Sequence, residues 1–391
     1  MLTKIILSYA KQPKILAGHP WVFPKAIHEV IGQPEAGEWV EVYDSKEQKI
    51  GRGFYNPNSM YRVRMLADLS LLKQFSKWQD VVRYRLEQAF LLRNTMGFPN
   101  KATNAFRLLN SESDGLSGLI IDAFNDIVVI ASNAYWTELY RGEILEILKD
   151  LIPDKKLLWM GQTKALAQDG WDTPYQDDTK EMHTKIKEAG IIFEINFKNI
   201  QKTGIFIDQR ENHQRIAQLA QGKRVLDLYT YHGGFALHAA KAGASYVTAV
   251  DSSAHAIEHA KHNATLNKTP DINWCVGDAK DYLASAGDYD IVILDPPNLA
   301  PSKRHVIAAK NLYRFLHAEL FKYMKPGSIL MTCDCSSAIS THELTTLVAQ
   351  QALAEHKSIQ ILGSYGAAMC HPTLPIFPEG NYLTALLIAI K

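Results

Sequence analysis

Cys333 and Cys335 flank Asp334 directly after an apolar run at 328–332, and Asp295 ends another apolar run before Pro296-Pro297-Asn298. Thiols can act as nucleophiles, and a carboxylate beside them can polarise a bound ring. Three further acids have related positions. Asp227 lies inside the run 224–228, Asp251 follows 246–250, and Asp278 follows 272–276. Between the first two stands Gly233-Gly234, where the backbone can turn tightly and approach a ligand. Acids set out in this way suit a small ligand rich in hydroxyl and amino donors.

Such residues must be carried by parallel strands. A short apolar run, a glycine loop and the Ala-rich stretch 236–242 read as strand, ligand-cradling loop and helix. Asp251 falls 24 positions after Asp227, near the spacing at which a second-strand acid reaches ribose hydroxyls. Each of four strands delivers an acid near the carboxyl edge, where ligands bind in open α/β sheets. The G-x-G-x-x-G pattern that cradles a dinucleotide pyrophosphate is absent. S-adenosylmethionine carries no phosphate, and carboxylates suit its ribose and exocyclic amine, so it is the expected cofactor. The expected fold class is α/β, with a doubly wound Rossmann-like domain over 191–391.

Composition sets the limits for the rest. The chain has 391 residues, 47% hydrophobic and 21% charged, with a formal net charge of +1. This is a globular balance with room for two or three domains, and any nucleic-acid surface must be local. Lys4 and Lys11 interrupt the first apolar stretch, and no apolar run approaches the roughly 20 residues of a membrane span. Four cysteines are too few for a disulfide scaffold, so a cytoplasmic protein with free thiols is expected. Cys333, Cys335, Cys370 and His371 lack the paired knuckle spacing of a zinc site, and no metal is expected there.

Residues 1–70 alternate short apolar runs (5–7, 21–23, 39–43, 50–55, 61–66) with turn residues and read as a β-rich domain. It carries nine basic and seven acidic residues, a net of 9 − 7 = +2, which favours RNA only mildly. Trp21 and Phe23 are expected in its core. Residues 71–190 read as a central α+β domain: a helix to about 96, strands near 106–109, 118–124 and 127–131, and a helix over 135–151.

Several stretches resemble one family. Lys14 to Phe23 is similar to the opening of an RNA-binding PUA domain. Gln201-Lys202-Thr203-Gly204-Ile205-Phe206-Ile207-Asp208-Gln209-Arg210, the loop 227–235, Asp295-Pro296-Pro297, Cys335-Ser336 and Phe377 to Leu383 resemble the PUA-containing class I rRNA methyltransferases that act on cytosine C5 of 23S rRNA. The resemblance implies that Thr203, Phe206, Gln209 and Arg210 close over S-adenosylmethionine beside Asp227, Gly233, Asp251, Asp278 and Asp295. Ile200 departs from the glycine usual at that position. Phe206 could stack on adenine or be core, and Arg210 could hold the methionine carboxylate or form a structural ion pair.

Cytosine C5 attacks a methyl sulfonium only after a thiolate has added to C6. Alignment with the family's Cys-Ser pair makes Cys335 the expected nucleophile and Cys333 its understudy, with Asp295 recognising the base. The residue that removes the C5 proton is not identifiable. Two other readings stand beside this one. Purine N-methylation is disfavoured because Asn298, not an aromatic, follows Pro-Pro. The third is a non-enzymatic RNA-assembly protein that binds the cofactor. The resemblance also implies a homodimer.

Overall fold

A computed structural model describes the chain except residues 1–2, 180–181, 198–203 and 270. It divides into two compact units: 1–186 with 195–205 and 370–380, and 187–194 with 206–369 and 381–391. Residues 1–70 and residues 71–186 of the expected central domain fall in one unit.

In the first unit, β1 (Lys4–Leu7), α1 (Gln12–Leu16), β2 (Trp21–Val22), β3 (Ile27–Ile31), β4 (Trp39–Tyr43), β5 (Lys49–Tyr55) and β6 (Val63–Asp68) follow in chain order. The strands pair as β2-β6-β5-β4-β1-β3, with β1 parallel to β4. Ile5, Leu7, Val22, Val40, Val42 and Val63 fill the core beneath them. Asp68 then caps α2 (Leu69–Leu72) by accepting the Ser70 and Leu71 N–H groups, so the expected helix begins as a separate turn before α3 (Trp78–Thr95).

A second sheet of this unit has the order β10-β9-β8-β7, built from β7 (Ala105–Asn110), β8 (Leu119–Phe124), β9 (Ile127–Ser132) and β10 (Lys156–Gly161). β10 runs parallel to β9, which requires a crossover. The crossover is α4 (Tyr135–Leu139) and α5 (Arg141–Leu151), interrupted at Tyr140 where one helix was expected. α6 (Thr163–Gln168) follows. The division into units falls within the hairpin of β11 (His183–Glu188) and β12 (Ile191–Asn196).

The second unit carries the chemistry. After α7 (Arg210–Leu219) come β13 (Arg224–Leu228), α8 (Gly234–Lys241), β14 (Tyr246–Asp251), α9 (Ala254–Asn267), β15 (Asn273–Val276) and β16 (Ile291–Leu294). Then follow α10 (Val306–Tyr323), β17 (Ile329–Asp334), α11 (Thr341–Ala354), β18 (Ile359–Tyr365) and β19 (Thr384–Ile390). The sheet order is β15-β14-β13-β16-β17-β19-β18, with β13 to β17 parallel and β19 antiparallel to both neighbours. This is the expected doubly wound sheet.

The chain builds outward from β13 through β14 to β15 and returns to β16, which places the topological switch point between β13 and β16. Register pairs Leu228 with Leu294 and Leu294 with Thr332, so β13 and β16 finish level and β17 runs two residues beyond them to Asp334. Val225, Leu226, Val292, Leu294 and Leu330 are fully buried between the helix layers, which explains why their strands read as apolar runs rather than alternating.

Candidate functional site

The loop from β13 to α8 is held by acids that sequence reasoning assigned to the cofactor. Asp227 is 1% exposed; its Oδ2 accepts from the Thr230 hydroxyl at 2.5 Å and the Ala236 N–H at 3.0 Å. Burial pushes its carboxyl up to about 6. Asp251 Oδ2 accepts the Tyr231 N–H at 2.9 Å, and its Oδ1 accepts the Ser253 N–H. Between these anchors Tyr229 (φ +66°), Tyr231 (φ +50°) and Gly233 (φ +84°) adopt left-handed backbone. Two non-glycine residues in that region are a strain that sequence reasoning missed and that the buried Asp227 and half-buried Asp251 over-determine.

The same loop fits an unphosphorylated nucleoside. A Cβ on Gly233 would stand 3.0 Å from the Trp274 ring, so only glycine leaves that approach open. Among the described residues Asp227 Oδ1 is buried without a hydrogen-bond partner, and the half-buried Phe206 meets Tyr231 edge-on at 5.1 Å. Asp278 is exposed beyond β15 and accepts the Lys280 N–H. Carboxylates, an open glycine turn and aromatic rings form a donor set suited to S-adenosylmethionine.

At the switch point, Gln209 donates from Nε2 to Asp295 Oδ2 at 3.1 Å, and Asn212 donates to Gln209 Oε1 at 2.6 Å. Asp208, beside Gln209, accepts from the Tyr382 hydroxyl at 2.7 Å, which ties the motif to the stretch before β19. Arg210 is 1% exposed and pairs with Glu211 at 2.9 Å. Thr203 and Ile200 lie outside the described residues.

The two cysteines part company at the end of β17. The strand runs to Asp334, so Cys333 lies inside it and Cys335 is the first residue beyond. Cys333 is fully buried; burial and then the Asp295 charge push its thiol well above the ordinary range. Cys335 is half-buried, with Sγ 3.9 Å from the Pro296 carbonyl oxygen, which brings it beside Asp295-Pro296. Asp334 takes its turn on the other face, accepting from the buried Tyr313 hydroxyl at 3.0 Å, and burial pushes its carboxyl up to about 6. Asn298 is exposed and caps the Ala300 N–H, with no aromatic ring in its place.

Behind the glycine loop lies a cluster that sequence reasoning missed because its members are far apart in the chain. His213 Nδ1 lies 2.6 Å from Glu188 Oε1, and His238 Nε2 lies 3.8 Å from the same oxygen. Burial alone would push Glu188 up, but the charge and hydrogen bond of His213 hold it below the usual carboxylate range. At the opposite, amino-terminal edge of the sheet, a depression of about 380 Å³ is lined by Arg224, Asp290 and Ser328 and contains none of the candidate residues.

In the first unit an aromatic group surrounds Trp21. Tyr61 lies over it at 4.0 Å, Phe377 meets it edge-on at 4.6 Å, and its Nε1 donates to Glu112 and Ser117. Phe23, expected in the core, is 37% exposed, because it sits outermost on these rings rather than beneath the sheet.

Residues 5–68 match the PUA-like domain family, and residues 176–364 match the S-adenosylmethionine-dependent methyltransferase family. The chain is 31% identical to "Ribosomal RNA large subunit methyltransferase I" of Alteromonas mediterranea over 100% of this chain and 99% of that protein. It is 32% identical to the protein of the same name from Tolumonas auensis, over 99% of each. A solved methyltransferase structure complexed with SAH matches all of both chains at 19% identity with a TM-score of 0.83, and a methyltransferase from Streptococcus mutans matches at 19% and 0.81. Among the described residues no helix is long and apolar enough to cross a membrane.

Proposed function

Because the chain belongs to the ribosomal RNA large subunit methyltransferase I family and joins a PUA-like domain to an S-adenosylmethionine-dependent methyltransferase domain, we propose that it methylates cytosine C5 in 23S rRNA through a covalent Cys335 adduct. S-adenosylmethionine supplies an electrophilic methyl group when bound. Gly233 would let the loop backbone approach it, Asp251 and Asp278 would face its ribose and base, and Phe206, Gln209, Arg210 and Thr203 would close over it. Asp227 would act from below, holding the loop.

The observation that carries the reading is the position of Cys335: outside the strand, half-buried and beside Asp295-Pro296 at the switch point. Its thiolate would form a bond to C6 and make C5 nucleophilic. Asp295, steadied by Gln209, would bind the flipped base through its N4 amino group or protonated N3. Once C5 is methylated, loss of the C5 proton to a base expels the cysteine sulfur and restores the ring. Cys333 stays the understudy, its burial and raised pKa weighing against thiolate formation. A cytoplasmic homodimer belongs to the same reading.

The test incubates the full chain with methyl-labelled S-adenosylmethionine and rRNA from a strain lacking the protein, followed by nucleoside mass spectrometry. The expected product is 5-methylcytidine, lost in Cys335→Ser and retained in Cys333→Ser. RNA containing 5-fluorocytidine should trap a protein–RNA adduct that depends on Cys335. Methyl on a purine nitrogen would favour N-methylation, and RNA binding without label on RNA would favour an assembly role; either result defeats the proposal.

A further inference from the structure

Glu188 closes β11, His213 lies in α7 and His238 in α8, and the three side chains meet behind the glycine loop at 1%, 7% and 4% exposure. Each offers a ligand atom, and these atoms all lie within 4.8 Å of one another. The proposed methyl transfer uses none of them.

The orientation of His238 is informative. Its Nδ1 lies 2.8 Å from the Gly234 carbonyl oxygen, a contact that requires a proton on Nδ1. Nε2 of the neutral ring then carries the lone pair, buried and facing Glu188, whose Oε1 lies 3.8 Å away and whose backbone carbonyl also approaches the ring. A lone pair facing a carboxylate oxygen in a buried site is repulsive unless positive charge lies between them. His213 Nδ1 approaches the same oxygen, so two imidazole nitrogens converge on one carboxylate. A backbone carbonyl that fixes the tautomer and leaves the far nitrogen bare is also the usual outer support of a metal-bound histidine.

We propose that Glu188, His213 and His238 form a buried binding site for one divalent transition-metal cation of the Zn²⁺ type. Two imidazoles and a carboxylate are a zinc ligand set, with bonds of about 2.0–2.1 Å that place ligand atoms about 3.3 Å apart in a tetrahedron. The 3.8 Å separation lies near that value. The 2.6 Å pair must open as the His213–Glu188 hydrogen bond is replaced by two metal bonds and the shared proton leaves.

The site would brace the cofactor loop. Gly234 is held through its carbonyl by His238, and a Cβ on it would stand 2.6 Å from the His213 ring. An ion joining the two histidines would fix Gly234 next to the Gly233 turn and tighten S-adenosylmethionine binding. The metal site itself goes beyond the proposed methyl transfer and does not depend on which base is modified.

The test strips the full chain with a chelator, dialyses it against Zn²⁺ or Co²⁺, and reads metal per chain together with the visible absorption of bound Co²⁺. Wild type is expected to hold one ion per chain with a low-coordinate Co²⁺ spectrum and a raised melting temperature. Glu188→Gln preserves an acceptor for His213 and His238→Gln preserves a donor for Gly234; each should weaken binding at least tenfold. His255→Asn/His259→Asn, on the neighbouring face of α9, should leave binding unchanged. The proposal is overturned if no ion is retained, if Glu188→Gln binds as wild type does, or if the α9 variant is the one that loses the ion.

Discussion

Asp227 is raised from 3.8 to about 6 by burial, against hydrogen bonds from Thr230 and Ala236 that favour the charged form. An acid whose folded pKa exceeds its unfolded value holds its proton more tightly when folded. Its contribution is fully present below about pH 4 and is lost as pH rises through about 6. Asp227→Asn keeps the acceptor for Thr230 and Ala236 and removes the titration. The stability of wild type relative to the variant should therefore fall between pH 4 and pH 6, by on the order of 2–3 kcal/mol at about 1.4 kcal/mol per pKa unit. Urea unfolding at intervals across that range measures it, and a flat difference would show that the carboxyl ionises in place without cost. Cys333 is governed by the same physics: its place in the strand suggests a second nucleophile, and its burial opposes the thiolate.

The element that turns these residues into a site is the loop from Leu228 to Gly234, built by alternating left-handed residues with hydrogen bonds to Asp227 and Asp251. Gly233→Ala would place a Cβ 3.0 Å from Trp274 at φ +84°, a strain of about 1–2 kcal/mol for an L-residue. The expected outcome is roughly tenfold weaker S-adenosylmethionine binding by calorimetry, with the chain still folded; unchanged affinity would mean that the turn does not approach the cofactor. The strands feeding this loop are legible in the sequence because β13, β14 and β16 are covered on both faces and read as largely apolar runs, interrupted only by Asp227 and Thr248. The acids at their ends are legible for the same reason. Other elements are not: β3 is largely exposed and shows no inward alternation, and the break at Tyr140 interrupts a pattern that is helical on either side. Nor does local sequence reveal the left-handed Tyr229 and Tyr231, the second of which is held by Asp251 some twenty residues away, or the meeting of Glu188, His213 and His238.

For the molecule as a whole, a net charge of +1 means that no global field draws in RNA, so affinity must come from local surfaces. The aromatic group of the PUA-like unit fits that need. Trp21 is anchored by Glu112 and Ser117, Tyr61 lies over it with the Arg64 guanidinium 4.8 Å from its ring, and Phe23 is the exposed outer member of the group. A ring already propped by its neighbours loses little freedom when a base stacks on it. Phe23→Ala should therefore weaken rRNA binding by about 1–3 kcal/mol, the range for loss of one base–aromatic stack, and leave S-adenosylmethionine affinity unchanged. Salt dependence gives the discriminating measurement. Loss of a stack removes no phosphate contact, so the slope of log affinity against log salt should match wild type, whereas a rearranged basic surface would make it shallower. An unchanged RNA affinity would mean that this aromatic face serves packing within the unit and that RNA is held elsewhere.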